Sequence, residues 1–368
     1  MNIGNLPLGF QEQVSFSLRS LYSRYGYIQY KMSKFEEYDL YARNKDFLIS
    51  DGVITFMDRS GKLLALKPDV TLSIVKNSKD APAQLQKLYY HENVYRAAKS
   101  TRSFKEIMQV GLECLGNVDD YCILEVLMLA AESLRCISTH MVLDISHLGL
   151  LLDLIDAVGI PAGKKKEILS CIGAKNTHEL VSLCRQWEVC ESQIEILKQA
   201  VEICGAPEDV LPRLTALLTG IVDTTPLKKL AAITDALESG GIRDMLRFDF
   251  SVVDDTHYYN GLVFKGFVQG LPSSVLSGGQ YDKLMQKMGR KSRAIGFAVY
   301  LDTLERLDRE KVDCDVDTLL LYDAHTPLAA IRDQVEQIRL QNRSVLVQQR
   351  IPEDLRFRQI IQISGNEV

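Results

Sequence analysis

KLYYHENVYR (87–96) and SFKEIMQVGLECLG (103–116) are two strand-like runs joined by a short polar loop that begins AAKST. In the second run, period-2 geometry puts Ile107, Gln109, Gly111 and Glu113 on one face. An amide and a carboxylate therefore flank a glycine, which leaves space above the sheet between them. A half-buried strand can carry a stray polar residue on its apolar face. Two polar residues around a glycine fit the floor of a pocket as well.

Outward from this pair, residues 9–25 place Val14, Phe16, Leu18, Leu21 and Tyr22 at helical spacing, and the strand-like GYIQYKM follows. VITFMDRSGKLLALK (53–67) reads as a hairpin that turns at Asp58-Arg59-Ser60-Gly61. Pro68 ends its second strand, and a helix follows. Beyond the central pair, an amphipathic helix is expected from about Asp119 to Cys136, its acids suited to a helix amino terminus. Residues 147–246 read as helical throughout, with breaks at Gly159-Ile160-Pro161, Gly205-Ala206-Pro207 and Gly240-Gly241. Strand signals resume at 248–267 and after Gly278-Gly279, and a helix starts near Leu301. From Val312 the order is strand (TLLLYD), helix (PLAAIRDQVEQIRLQ), strand (SVLVQQ) and a short segment. The outline is α+β: a sheet domain over 1–310 interrupted by a helical insertion at about 147–246, then a small α/β piece over 311–368.

The 368 residues are 46% hydrophobic and 25% charged, ordinary for a globular protein, and allow two or three domains. A formal net charge of −5 provides no general basic field for a polyanion. MGRKSRAIG (288–296) is a candidate local basic patch, but it reads more readily as a solvated loop between a helix and a strand. No apolar run approaches the roughly 18 residues that span a bilayer. MNIGNLPLGFQEQ lacks the basic and apolar regions of a signal peptide, so a cytoplasmic location is expected. None of the eight cysteines forms a CxxC pair, and most sit in apolar helix-like segments, which favours buried reduced thiols. The six histidines show no metal-ligand spacing, and no G-x-S-x-G, Walker or G-x-G-x-x-G pattern occurs, so neither metal nor cofactor is expected.

Two further segments bear chemistry. In LKPDVT (66–71), Asp69 and Thr71 lie where the chain leaves the sheet, and together can accept the hydrogens of an ammonium group. Either could instead cap the next helix. RFDFSVVDDTHYYNGLVFKGF (247–267) carries Tyr258 and Tyr259 just after the acids Asp254 and Asp255. Strict alternation would send the two tyrosines to opposite faces unless the strand is bulged. In LSGGQYDKL (276–284), Gly278-Gly279 permit close backbone approach or make a turn.

Taken in order, these segments resemble the core of class II aminoacyl-tRNA synthetases, specifically the histidyl-tRNA synthetase family, over roughly residues 5–310. LKPDVT is similar to the family's R-P-D/E-x-T, VYR and FKEIMQVGLE to its motif 2, and THYYN to R-G-L-D-Y-Y. SGGQYDKL and AIGFAVYLDTL resemble G-G-R-Y-D and motif 3. The resemblance implies an antiparallel sheet flanked by helices. It also implies a histidine site in which Asp69, Thr71 and Gln109 hold the α-amino group. Glu113 and one of Tyr258 and Tyr259 would meet the imidazole. Ring nitrogens need an acceptor and a hydroxyl at fixed positions, and such a site rejects isosteres that lack them.

The positions implied for adenylation depart from the family. Arg96 keeps the arginine of motif 2, a possible phosphate contact, but the glutamate two residues later is Ala98. The catalytic arginine of R-G-L-D-Y-Y falls on Asp254, the ATP-binding arginine of motif 3 on Thr303, with Arg306 one turn on, and the proline of motif 1 on Ser33. A unit charge pair at 4 Å is worth about 4 kcal/mol at an effective dielectric near 20. Exchanging arginine for aspartate removes that attraction from developing phosphate charge and adds repulsion of similar order. Only some 55 residues remain where the family carries an anticodon-binding domain, so tRNA is not expected as a partner. This combination resembles the regulatory subunits of ATP phosphoribosyltransferase. That resemblance implies no catalysis by this chain, a dimer of it, and a hetero-octamer with a short-form catalytic subunit. It also implies activation of that partner and feedback by L-histidine. The alternatives are a divergent histidyl-tRNA synthetase and a stand-alone histidine-sensing paralogue.

Overall fold

A computed structural model describes residues 9–48, 52–97, 103–237, 241–253, 258–307 and 314–364. Two compact units result, Phe10–Leu307 and a carboxy-terminal one described over 314–364.

The larger unit opens with the helix Phe10–Arg24 and the strands β1 (Ile28–Gln29), β2 (Phe35–Glu37), β3 (Thr55–Met57) and β4 (Leu63–Leu66). The long pair β5 (Leu85–Ala97) and β6 (Phe104–Gly116) follows, then β7 (Met141–His147). After the helical stretch come β8 (Leu246–Phe248), β9 (Leu262–Val268), β10 (Leu276–Gln280) and β11 (Arg293–Tyr300). Among the described residues, eight of these form one sheet in the order β1-β5-β6-β11-β10-β9-β7-β8. Its six central strands are antiparallel, and β1 and β8 add parallel edges. β2, β4 and β3 make a separate small sheet.

Local chemistry explains several boundaries. At the hairpin tip, Asp58 Oδ1 accepts from the N–H groups of Ser60 and Lys62, both at 2.8 Å, and Gly61 takes φ +82°. The helix Asp120–Arg135 starts where the Asp119 carboxylate accepts from Cys122 N at 2.9 Å. It buries Val126, Leu127, Ala130 and Leu134 in the core against the sheet, beside the helix Phe10–Arg24, whose buried Tyr22 hydroxyl meets Ser133 Oγ at 2.9 Å. On β6, Val110, Leu112 and Cys114 enter this core, each worth roughly 1.5–3 kcal/mol when fully buried if of leucine or valine size. Gln109 and Glu113, on the opposite face, are also buried. A strand buried on both faces normally reads as a continuous apolar run, so two polar residues on one face mark a pocket.

Three segments differ from the sequence-based expectation. β7 lies in residues to which no element was assigned, and it is held by β9 and by β8, which lies about a hundred residues on. Tyr258 and Tyr259 sit in a turn before β9, so strand alternation does not govern them. Gly278 and Gly279 lie inside β10 rather than in a turn; a Cβ on Gly278 would lie 2.4 Å from Phe297 Cβ. The helix expected to start near Leu301 is present as the 3-10 helix Leu301–Arg306. The basic run 288–296 ties loops together: Arg290 donates to the carbonyls of Val75 and Lys76, and Asp80 accepts from Lys291 N and Ser292 N. The cysteines are free thiols, with Cys190 and Cys204 exposed.

In the smaller unit, β12 (Val316–Tyr322) is flanked in parallel by β13 (Val345–Gln348) and β14 (Phe357–Ile363), and the helix Leu328–Leu340 joins β12 to β13. Among the described residues, no helix is long and apolar enough to cross a membrane, and no group of three or more histidines, cysteines or acids is placed to hold a metal.

Candidate functional site

The pocket on the polar face of β6 draws side chains from distant parts of the chain. Asp69, Val70 and Thr71 come from the start of the helix Thr71–Asn77, and Tyr90 and Arg96 from β5. Gln109 and Glu113 form the floor, and Tyr258 and Tyr259 arrive from the turn before β9. Every residue expected at a histidine site thus lines one cavity. Tyr281, Tyr300 and Ser277 line it too, although sequence reasoning did not single them out.

Glu113 is the centre of the site. Thr71 Oγ1 donates to its Oε1 at 2.5 Å and the Tyr281 hydroxyl to its Oε2 at 2.6 Å. Burial pushes its pKa up to about 8; the two hydroxyls pull it back, and neighbouring Asp69 adds to the rise. The space for the carboxylate comes from glycines. Gly296 lies opposite Glu113 in the β6–β11 pairing, and Gly111 sits under the Tyr90 ring. A Cβ on Gly111 would lie 2.5 Å from the Tyr90 hydroxyl oxygen.

Asp69 does two things. Its Oδ1 accepts from Leu72 N at 2.9 Å, the helix-capping role. Its Oδ2 lies 3.9 Å from Arg96 Nη2, beyond hydrogen-bond reach. Arg96 spends its Nε on the Pro68 carbonyl at 2.8 Å. Burial raises the Asp69 carboxyl above the usual carboxylate range, with Arg96 and the Leu72 N–H opposing. Tyr258 is buried, and its ring centroid lies 4.9 Å from that of Tyr259 and 5.7 Å from that of Tyr281. Burial lifts the Tyr258 and Tyr281 hydroxyls well above the usual phenol range, so both remain donors at neutral pH.

Two carboxyls face one guanidinium here, among tyrosine hydroxyls and the Gln109 amide. Such a cavity suits a small cationic or N–H-rich molecule and disfavours a polyphosphate. Thr303 commits its hydroxyl to the Tyr300 carbonyl at 2.6 Å in the 3-10 helix Leu301–Arg306. Ala98 and Asp254 lie outside the described residues.

Comparison with known proteins agrees with this geometry. Residues 9–304 match the family model described as histidyl-tRNA synthetase. A curated relative from Oceanobacillus iheyensis, named ATP phosphoribosyltransferase regulatory subunit, is 24% identical over 90% of this chain and 82% of its own length. A solved structure from Bacillus halodurans, described as an ATP phosphoribosyltransferase regulatory subunit/histidyl-tRNA synthetase, superposes with a TM-score of 0.80 at 22% identity. It covers 97% of this chain and 94% of that one. A chain of the ATP phosphoribosyl transferase (HisG:HisZ) complex from Thermotoga maritima gives a TM-score of 0.62 at 21% identity, covering 78% and 96%. At these identities the two structures share the fold. With a class II synthetase-like sheet and a family match over most of its length, the chain belongs to the histidyl-tRNA synthetase family.

Proposed function

We propose that this protein is a non-catalytic regulatory subunit of an ATP phosphoribosyltransferase and that it binds L-histidine in the Glu113 pocket. The observation that carries the ligand is the buried Glu113 carboxyl, held by Thr71 and Tyr281 beside a second buried carboxyl, Asp69. Asp69 Oδ2, the lone pairs of Thr71 Oγ1 and the Gln109 amide oxygen receive the α-ammonium group. Glu113 accepts from one imidazole nitrogen, and a tyrosine hydroxyl from the 258–259 turn meets the other. Arg96 is left for the ligand carboxylate or a phosphate group.

Adenylation is not part of this reading. By the family resemblance, Ala98 replaces a glutamate and Asp254 and Thr303 replace arginines of the adenylation machinery, and the cavity offers Arg96 as its guanidinium. The partner is a short-form catalytic subunit, joined in a hetero-octamer built on dimers of this chain and located in the cytoplasm. No tRNA is involved. The name carried by the Oceanobacillus relative supports that partnership. Histidine must bind one state of the complex better than the other, and the partner's state must then change histidine affinity by the same factor.

Purification of the tagged chain from cells that express the short-form catalytic subunit tests the partnership. Stoichiometric recovery of that subunit is the expected result, and its absence opposes the proposal. Calorimetry with L-histidine tests the pocket. Unchanged affinity in Glu113→Gln would remove the imidazole contact.

A further inference from the structure

A second cavity lies within the larger unit, between the sheet and the helical insertion. Its walls are the first turn of the helix Asp120–Arg135, one face of the helix Thr225–Ala236 and His147 at the end of β7, with the start of β9 and the end of β10 beneath. Ile123, Leu230, Ile233 and Leu262 supply an apolar lining.

Two polar side chains face this lining with donors fixed by the backbone. Gln280 is only 6% exposed. Its Oε1 accepts from Leu262 N at 2.8 Å, so its other arm is the NH2 group. His147 pairs across the sheet with Leu262, and its Nδ1 accepts from Leu150 N at 3.1 Å. The ring is neutral because burial lowers its pKa to about 4, so its proton sits on Nε2. Among the described residues, neither the Gln280 NH2 nor the His147 Nε2–H has a protein acceptor. Lys229 and Arg293 stand at the edge. Lys229 faces Asp120 at 3.5 Å, and Arg293 donates to the Val118 carbonyl at 2.9 Å and pairs with Asp282 at 3.2 Å. The acid Asp223 is occupied as a cap, accepting from the N–H and hydroxyl of Thr225 at 2.9 and 2.6 Å.

The Gln280 and His147 N–H donors, the ion-paired Lys229 and the amino ends of the helices Asp120–Arg135 and Thr225–Ala236 thus border an apolar lining. We propose that this cavity binds a small organic carboxylate with an apolar body. The carboxylate meets the Gln280 NH2, the His147 Nε2–H and Lys229, and the body rests on Ile123, Leu230, Ile233 and Leu262. The site is separate from the Glu113 pocket, although the next residue after Gln280, Tyr281, is the one that donates to Glu113.

Ligand-observed NMR titration of the intact protein tests this, with benzoate as the probe and benzyl alcohol as its uncharged counterpart. Benzoate is expected to bind saturably below about 10 mM, and benzyl alcohol about tenfold more weakly. His147→Asp keeps a helix-capping acceptor but replaces the donor by a negative charge, and Lys229→Glu alters an exposed side chain. Each is expected to weaken benzoate by about tenfold with the fold intact. Saturating L-histidine is expected not to displace benzoate. Equal binding of the two probes, no saturable binding of benzoate, indifference to both variants, or displacement by L-histidine would each overturn the assignment.

Discussion

Gly296 on β11 lies directly opposite Glu113 on β6, so close that a Cβ on Gly296 would lie 1.8 Å from Glu113 Oε2. It would also lie 2.5 Å from the Leu112 carbonyl, which cannot move without disturbing the sheet. Gly296→Ala is therefore expected to destabilise the protein by about 1–3 kcal/mol and to displace the Glu113 carboxyl. Urea denaturation measures the first effect, and histidine calorimetry the second. Wild-type affinity in a folded Gly296→Ala protein would show that Glu113 need not occupy this space.

Glu113 also links stability to pH. Its pKa is near 8 in the folded chain against an ordinary 4.5. Between those values the folded state holds a proton that the unfolded state has lost, so stability falls as pH rises from about 4.5 to about 8. The slope from this group is at most about 1.4 kcal/mol per pH unit. Glu113→Gln is expected to remove it, as read from urea midpoints at pH 5 and pH 8. An unchanged slope would place the pH dependence elsewhere.

The same proton shapes ligand affinity. Free imidazole loses its proton near pH 6.5, and Glu113 near pH 8. Between these values one proton is shared in the complex, and none need be taken up or released. Histidine affinity is expected to be flat there. It should fall about tenfold per pH unit below the window, where a proton must leave, and likewise above it, where one must enter. Tyr281→Phe removes a hydrogen bond that lowers the Glu113 pKa, so the upper limb should move to higher pH. Calorimetry across pH checks both.

Asp69→Asn separates the cap from the ammonium contact. The amide oxygen can still accept from Leu72 N, so stability is expected to change by less than about 1 kcal/mol. Loss of the charge should weaken histidine by about 10- to 100-fold. An equal loss of stability and affinity would mean that Asp69 acts through the helix alone.

What the sequence revealed follows from how local each cause is. The 53–67 hairpin and the Asp119 cap rest on contacts within a few residues and were legible. β7 was not, because its partners lie about a hundred residues away. Period-2 reasoning placed Gln109 and Glu113 on one face, but it misjudged Tyr258 and Tyr259, which enter from a turn. Tyr90, Tyr281 and Tyr300 lie in segments already legible in the sequence, but nothing local singled them out, because tyrosine is common in and around strands whatever face it takes. Only the register that sets Tyr300 beside Gln109, and Gly296 beside Glu113, brings them to the pocket.

The central claim concerns the partner, and reconstitution measures it directly. ATP phosphoribosyltransferase turnover by the short-form catalytic subunit would be followed with and without this protein, over a range of L-histidine. The account predicts that the protein raises turnover and makes it inhibitable by histidine, and that Glu113→Gln preserves activation while weakening inhibition. Turnover unaffected by the protein, together with histidine-dependent pyrophosphate exchange by the chain alone, would contradict it and identify a working synthetase.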